Sequence, residues 1–266
     1  MNPMQIAAAL VFVYMSSVFL VALKVRDNSI VDVAWGGGFL VVVAAVTGRS
    51  GLASGRQILV TALVSVWALR LLLHIHTRNR GRSGEDFRYR KWRETWGRWF
   101  VLRSYLQIFM LQGVVMWVVA APILLVGSRG DRPLGPLDAA GSVVWLVGFL
   151  FETVGDWQLL RFKRSPASRG EIMTTGLWRF TRHPNYFGEV VVWWGLFLIA
   201  LGAPHGWWAL ISPVTITFLL LRVSGIPMLE AKYEGRADFD RYKATTNAFL
   251  PWFPKRQGQV DRAGES

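Results

Sequence analysis

The stretch Gly176-Leu-Trp-Arg-Phe-Thr-Arg-His-Pro-Asn-Tyr-Phe-Gly-Glu189 gathers Arg179, Arg182, His183, Asn185, Tyr186 and Glu189 directly before the apolar run from Val190 to Leu201. Ionisable groups at the mouth of a membrane helix are costly and mark sites where they bind or react. Guanidinium groups suit bidentate contact with phosphates, and Asn or Glu suits an amide, ribose or adenine edge. On a helix Asn185 and Glu189 lie one turn apart on one face. The spacing therefore predicts a polar, phosphate-directed binding site rather than a plain basic collar.

Other apolar runs carry similar interruptions. Asp32 lies near the start of the second run, and Trp67, Arg70 and His74 fall on one face of the third. Glu152 and Asp156 stand four apart in the fifth run, followed by Arg161, Lys163 and Arg164. The third run continues into Asn79-Arg-Gly-Arg82. Each of these could be an interhelical ion pair instead. Together they predict a basic lining, built from the ends of the third, fifth and sixth runs, for a multiply phosphorylated, nucleotide-like cofactor.

The elements that must position these residues are helices. Of the 266 residues 52% are hydrophobic, 14 are Trp, and mean hydropathy is positive. Seven runs approach the ~20 residues that a bilayer requires: Ile6–Leu23, Ile30–Val46, Ile58–His74, Leu106–Val126, Leu137–Leu159, Phe187–Leu201 and Trp207–Leu221. The expected fold is all-α: one integral membrane domain of seven transmembrane helices over 1–256, with the cofactor part at about 150–256. A polar, disordered tail is expected at 257–266. Among the connections on one side, only Arg49, Arg56, Arg129 and Arg132 are basic; the other side carries nearly all the remaining Lys and Arg. The positive-inside rule then places the N-terminus outside and the C-terminal tail in the cytosol.

The net charge of +13 is thus a topological signal, and nucleic acid is not an expected partner. With no cysteine, disulfides, thiolate metal sites and thiol nucleophiles are excluded. His74 and His76 point to different helix faces, so no metal site is expected. Gly36-Gly-Gly38 is no dinucleotide fingerprint and reads as close helix packing. Ser83 is expected to cap a helix with Asp86 in its first turn. Arg88, Tyr89, Arg90, Trp92, Arg93 and Trp96 read as an amphipathic helix in the membrane interface. Tyr242 and Phe249–Phe253 would either cap the cofactor cavity or anchor the chain in the interface.

On the Gly176–Glu189 stretch, the chain resembles the membrane reductases of the steroid 5α-reductase C-terminal superfamily, and more closely their bacterial DUF1295 branch. It is also similar to the Gly-Trp-Trp…Arg-His…Asn-Tyr…Gly-Asp stretch of sterol C14-reductases. The tail bearing Glu230, Lys232, Tyr233, Tyr242 and Pro251 extends the resemblance over nearly the whole chain. It implies a seven-helix fold in a bacterial inner membrane, enclosing NADPH on the cytosolic side. Asn79, Arg82, Asp156, Lys163, Asn185 and Glu189 would contact that cofactor. Arg164, Arg179, Arg182, His183, Tyr186 and Glu230 complete the expected cofactor set. The family's catalytic acid and phenol correspond to Asp32 and Trp67, so the acid is kept and the phenol lost.

The implied reaction is reduction of a carbonyl-activated C=C bond in a hydrophobic, lipid or steroid-like substrate that enters from the membrane. Asp32, held neutral by its surroundings, would hydrogen-bond the carbonyl oxygen. Isoprenylcysteine carboxyl methyltransferases and bacterial phospholipid methyltransferases share the Arg-His-Pro core, so an S-adenosylmethionine-dependent methyltransferase is the alternative. A non-catalytic lipid-binding membrane protein is the third reading. Oligomeric state is not set by the sequence.

Overall fold

The computed structural model describes residues 1–50, 54–80, 84–127 and 133–255, so the expected tail at 257–266 and Arg82 lie outside the described residues. Among the described residues all regular structure is helical. Six segments are long and apolar enough to cross a membrane: Pro3–Val25, Ile30–Gly48, Gly55–Asn79, Phe87–Val119, Pro136–Arg164 and Gly206–Tyr233. Leu20, Leu73, Val114, Val143 and Phe218 are all more than half exposed on these segments, as expected of side chains that face lipid. The protein is an integral membrane protein.

The chain divides into two compact units. The first comprises Met1–Ala139 and Phe197–Ser212. In it α1 (Pro3–Val25) begins at an Asn2–Gln5 capping box with Pro3 in the first turn. Its buried stripe, Ala7, Val11, Met15, Phe19 and Ala22, recurs every three or four residues and so lies along one face. Helix α2 (Ile30–Ser50) packs against α1 and α3 (Gly55–Asn79). The consecutive Gly36, Gly37 and Gly38 point in three directions. A methyl at Gly36 would sit 2.8 Å from the Ala68 carbonyl of α3, and one at Gly37 2.6 Å from the Tyr14 hydroxyl of α1. One at Gly38 would overlap the Met116 side chain. The glycine triplet is therefore a close-packing device, as its sequence suggests.

Beyond α3 come α4 (Phe87–Trp96), α5 (Phe100–Arg103), a π-helical turn at Ser104–Met110, α6 (Leu111–Val119) and α7 (Ala121–Val126). The Arg56–Asp138 pair is buried and bidentate, with both contacts at 2.7 Å. Asp138 also accepts the Gly135 N–H at 2.8 Å.

The second unit comprises Ala140–Leu196 and Pro213–Ser266. Helices α8 (Pro136–Arg164) and α9 (Pro184–Ala200) contribute most of their length to it. They meet along a seam of glycines seven apart: Gly141, Gly148 and Gly155 on α8, Gly188 and Gly195 on α9. A methyl at Gly148 would lie 2.5 Å from the Val192 nitrogen and 2.6 Å from the Gly188 carbonyl, so the two backbones touch with no side chain between them. Helix α9, expected as the Phe187–Leu201 crossing, starts earlier, at Pro184, because proline suits the first turn. It has 17 residues, about 25 Å of rise against the ~30 Å hydrocarbon core. The chain closes with α10 (Ile211–Phe218), a π-helical turn at Leu219–Val223, α11 (Ile226–Glu230) and α12 (Ala237–Thr245).

Candidate functional site

In the second unit, the Gly176–Glu189 stretch divides into two regions of different chemistry. Gly176 takes a left-handed turn (φ 64°), where a methyl would collide with the Gln158 side chain. Gln158 Oε1 accepts the Leu177 N–H at 3.0 Å, and Trp178 Nε1 donates to the Gly155 carbonyl at 3.1 Å. The turn is thereby fixed to the end of α8.

Arg182 follows, and its guanidinium is fully engaged. Nε and Nη2 donate to the two Glu230 oxygens at 2.8 and 3.1 Å, and Nη1 donates to the Thr246 carbonyl. The Arg182 N–H reaches the Asn247 carbonyl at 2.9 Å, and Thr181 Oγ1 donates to the carbonyls of Ala248 and Phe249. His183 Nε2 stands 3.0 Å from Glu230 Oε1, and its ring stacks on Tyr186. Burial pushes the His183 pKa down, against the opposing pull of Glu230. A neutral imidazole then donates its Nε2–H to the carboxylate. Tyr242 donates its hydroxyl to the Trp178 carbonyl, and burial holds that phenol above its ordinary pKa. Arg182, His183 and Glu230, all expected at the cofactor, here clasp the C-terminal tail to the α8–α9 connection.

One turn further, the pattern reverses. Asn185 Nδ2 donates to Asp156 Oδ1 at 3.1 Å, while Asn185 Oδ1 is buried with no hydrogen-bond partner. A buried acceptor without a donor is costly, and such an orphan calls for an explanation such as an absent ligand. Glu152 and Asp156 are buried on α8, and Glu189 is half-buried on α9. Lys163 and Arg164 are exposed at the end of α8. Arg179 is also exposed and lines a groove with Arg241 of α12.

The first unit holds Asp32, Trp67 and Asn79. Asp32 is bound on both oxygens: Arg88 Nη2 donates to Oδ2 at 2.7 Å and the Tyr89 hydroxyl to Oδ1 at 2.7 Å. Asp86 caps α4, accepts from Arg88 Nε at 3.0 Å, and donates its own N–H to Ser29 Oγ at 2.7 Å. A guanidinium thus donates to one oxygen of Asp32 and a phenol to the other. Asp86 rather than Ser83, which lies outside the described residues, is the helix cap.

The helix expected to lie in the interface is tied to its neighbours by Arg88, Tyr89 and Arg93, the last on Glu85 at 2.9 and 3.0 Å. Tyr89 carries no chemical motif of its own in the sequence; the available signal is that an aspartate inside an apolar helix requires donors, and Arg88-Tyr89 is a donor pair. Trp67 is fully buried and edge-on to Phe39, two helical turns beyond Asp32. Asn79 is half-buried at the last position of α3.

Comparison with known proteins agrees with this reading of the sequence. Residues 18–246 match the family described as protein of unknown function (DUF1295). An uncharacterized protein, C594.04c, of Schizosaccharomyces pombe is 26% identical over 55% of this chain and 49% of its own length. The 3-oxo-5-alpha-steroid 4-dehydrogenase 1 of Bos taurus is 38% identical over 43% of each chain. A probable O-methyltransferase, ustE, of Ustilaginoidea virens is 27% identical over 41% of this chain and 44% of its own length. The matches thus span less than half the length of these curated relatives. No solved structure matches. A family match running from α1 to the end of α12 settles the membership: the chain belongs to the DUF1295 family.

Proposed function

We propose that this protein is an NADPH-dependent membrane reductase of carbonyl-activated C=C bonds in hydrophobic, lipid or steroid-like substrates. The observation that carries this reading is the buried, unpartnered Asn185 Oδ1 beside the Asp156 carboxylate. An amide acceptor and a carboxylate acceptor together fit the N–H and O–H donors of a nicotinamide carboxamide and a ribose. Asn185 and Asp156 would hold that end, with Lys163, Arg164, Tyr186 and Glu189 of the same unit as further contacts. The cofactor, when bound, supplies a hydride. The similarity to the bovine steroid dehydrogenase supports the same reaction class.

For the substrate, the chemistry of Asp32 is recast. Both Asp32 oxygens already accept hydrogen bonds, from Arg88 and Tyr89, so the donor to a substrate carbonyl is sought among those partners. The proposed role of Asp32 is to hold Tyr89 and Arg88 in place, and the single Tyr89 O–H would turn from Asp32 Oδ1 to the substrate oxygen on which negative charge develops, leaving Asp32 with Arg88. Tyr89 would thus supply the phenol missing at Trp67, which is left as a packing residue. The proposed topology has seven crossings, with α9 as the short sixth, the N-terminus outside and the cofactor end facing the cytosol of a bacterial inner membrane.

The similarity to an O-methyltransferase favours one second reading, an S-adenosylmethionine-dependent enzyme. Thermal shift of the detergent-purified protein separates the two, because a bound ligand raises the midpoint. A shift with NADPH and none with S-adenosylmethionine is expected; the converse overturns the reductase. NADPH oxidation with a lipid enone should then fall by at least 100-fold in Tyr89→Phe, on the scale of losing one oxyanion donor. An unchanged rate removes Tyr89 from the chemistry.

A further inference from the structure

We propose that the groove lined by Thr174, Arg179, Arg241 and Thr245 binds the phosphate of an anionic phospholipid, with the neighbouring tail residues Leu250, Trp252 and Phe253 inserted into the headgroup region. Every part belongs to the second unit. Arg179 lies in the connection between α8 and α9, and Arg241 on α12 after the last long apolar helix. These are positions just beyond the ends of membrane helices, where lipid headgroups lie. Neither arginine has an acidic partner among the described residues. The carboxylate that also lines the groove, Asp238, is already taken bidentately by Arg236 at 3.1 and 2.6 Å. The groove therefore keeps two uncompensated guanidinium groups, whose planar forks match phosphate oxygens.

The second half of the argument is the tail. Leu250, Trp252 and Phe253 are 64%, 70% and 76% exposed. They stand on ordered backbone: Trp252 N–H donates to the Phe180 carbonyl at 2.9 Å, and Lys255 N–H to the Thr245 carbonyl at 2.9 Å. Pro254, between them, lines the same groove. Large apolar side chains held outward beside a cationic groove have no use for a soluble nucleotide. A phospholipid supplies both an anion for the arginines and an interface for the aromatic rings.

The test uses the full chain, purified in detergent and exchanged into mixtures of phosphatidylglycerol and phosphatidylcholine. Native mass spectrometry counts the lipid that stays bound. Wild type should retain phosphatidylglycerol selectively. Arg179→Ala with Arg241→Ala should weaken that retention roughly 25-fold, at about fivefold per arginine. Trp252→Ala with Phe253→Ala should lower retention of both lipids without changing the selectivity. If the double alanine variant does not purify, Arg179→Lys with Arg241→Lys keeps the charge but loses the fork, and selectivity must still drop. Undiminished phosphatidylglycerol retention overturns the proposal. This includes the case in which the variant loses its NADPH thermal shift instead, which would make the groove a nucleotide-phosphate site.

Discussion

Arg182 and Asn185 are three residues apart, yet the protein treats them in opposite ways. Arg182 directs its guanidinium to two carboxylate oxygens and a backbone carbonyl. Asn185 makes one hydrogen bond and leaves its carbonyl oxygen buried and unpaired. A polar group with all its partners inside the protein holds the fold; one left short can take a partner from outside, the role proposed for Asn185. Polar residues in one short motif can therefore divide between architecture and binding, and the hydrogen-bond inventory separates them.

The sharpest way to break this contrast is Arg182→Ala. It leaves the Glu230 carboxylate with His183 alone and should cost about 3–5 kcal/mol, the scale for removing one partner of a buried ion pair. Thermal unfolding in detergent reads it, and a stable variant that merely loses NADPH would reverse the assignment. Gly148→Val should cost about 1–3 kcal/mol through overpacking at the α8–α9 seam. Because Asn185 and Asp156 lie on those two helices, cofactor affinity should fall along with stability. Asn185→Ala should behave differently: an unliganded midpoint close to wild type, but an NADPH Kd raised roughly 10- to 100-fold, as for one or two lost polar contacts. A midpoint drop as large as that of Arg182→Ala would mean the orphan is not a ligand site.

The smallest effect is pH-dependent. The His183 pKa is lower in the fold than its ordinary 6.5, so below that value the unfolded chain binds more protons than the native one. Stability then falls as pH drops from 7 towards 5, by less than about 1.4 kcal/mol per pH unit for one proton. His183→Gln should flatten the slope. An equal slope in both proteins would assign it to other groups.

What the sequence conveyed, and what it withheld, follows from the range of each interaction. Local devices were legible: the close packing at Gly36-Gly-Gly38 and the placing of Asn185 and Glu189 one turn apart on one helix follow from residue type and helical spacing. Pairings across long separations were not. Nothing near Arg182 indicates that its carboxylate is Glu230, or that its other donor is spent on Thr246. Asp32 could be seen to be costly where it is, but its partners, Arg88 and Tyr89, stand on a helix that reads as merely interfacial. The number of crossings was hard to read for the same reason. The apolar run of α9 is obvious, whereas its length against the bilayer turns on where Pro184 starts the helix.

The seam of seven-spaced glycines between α8 and α9 bears on how the protein is assembled in its membrane. At 17 residues α9 is a weak candidate for independent insertion. Its backbone, however, fits directly against the 29-residue α8 that precedes it in the chain. A helix that meets its partner through backbone gains a close-packed surface as soon as the connection closes. The two should therefore enter the bilayer as one hairpin, and a bulky residue at Gly148 or Gly188 should leave α9 unintegrated during biogenesis, before any question of catalysis arises.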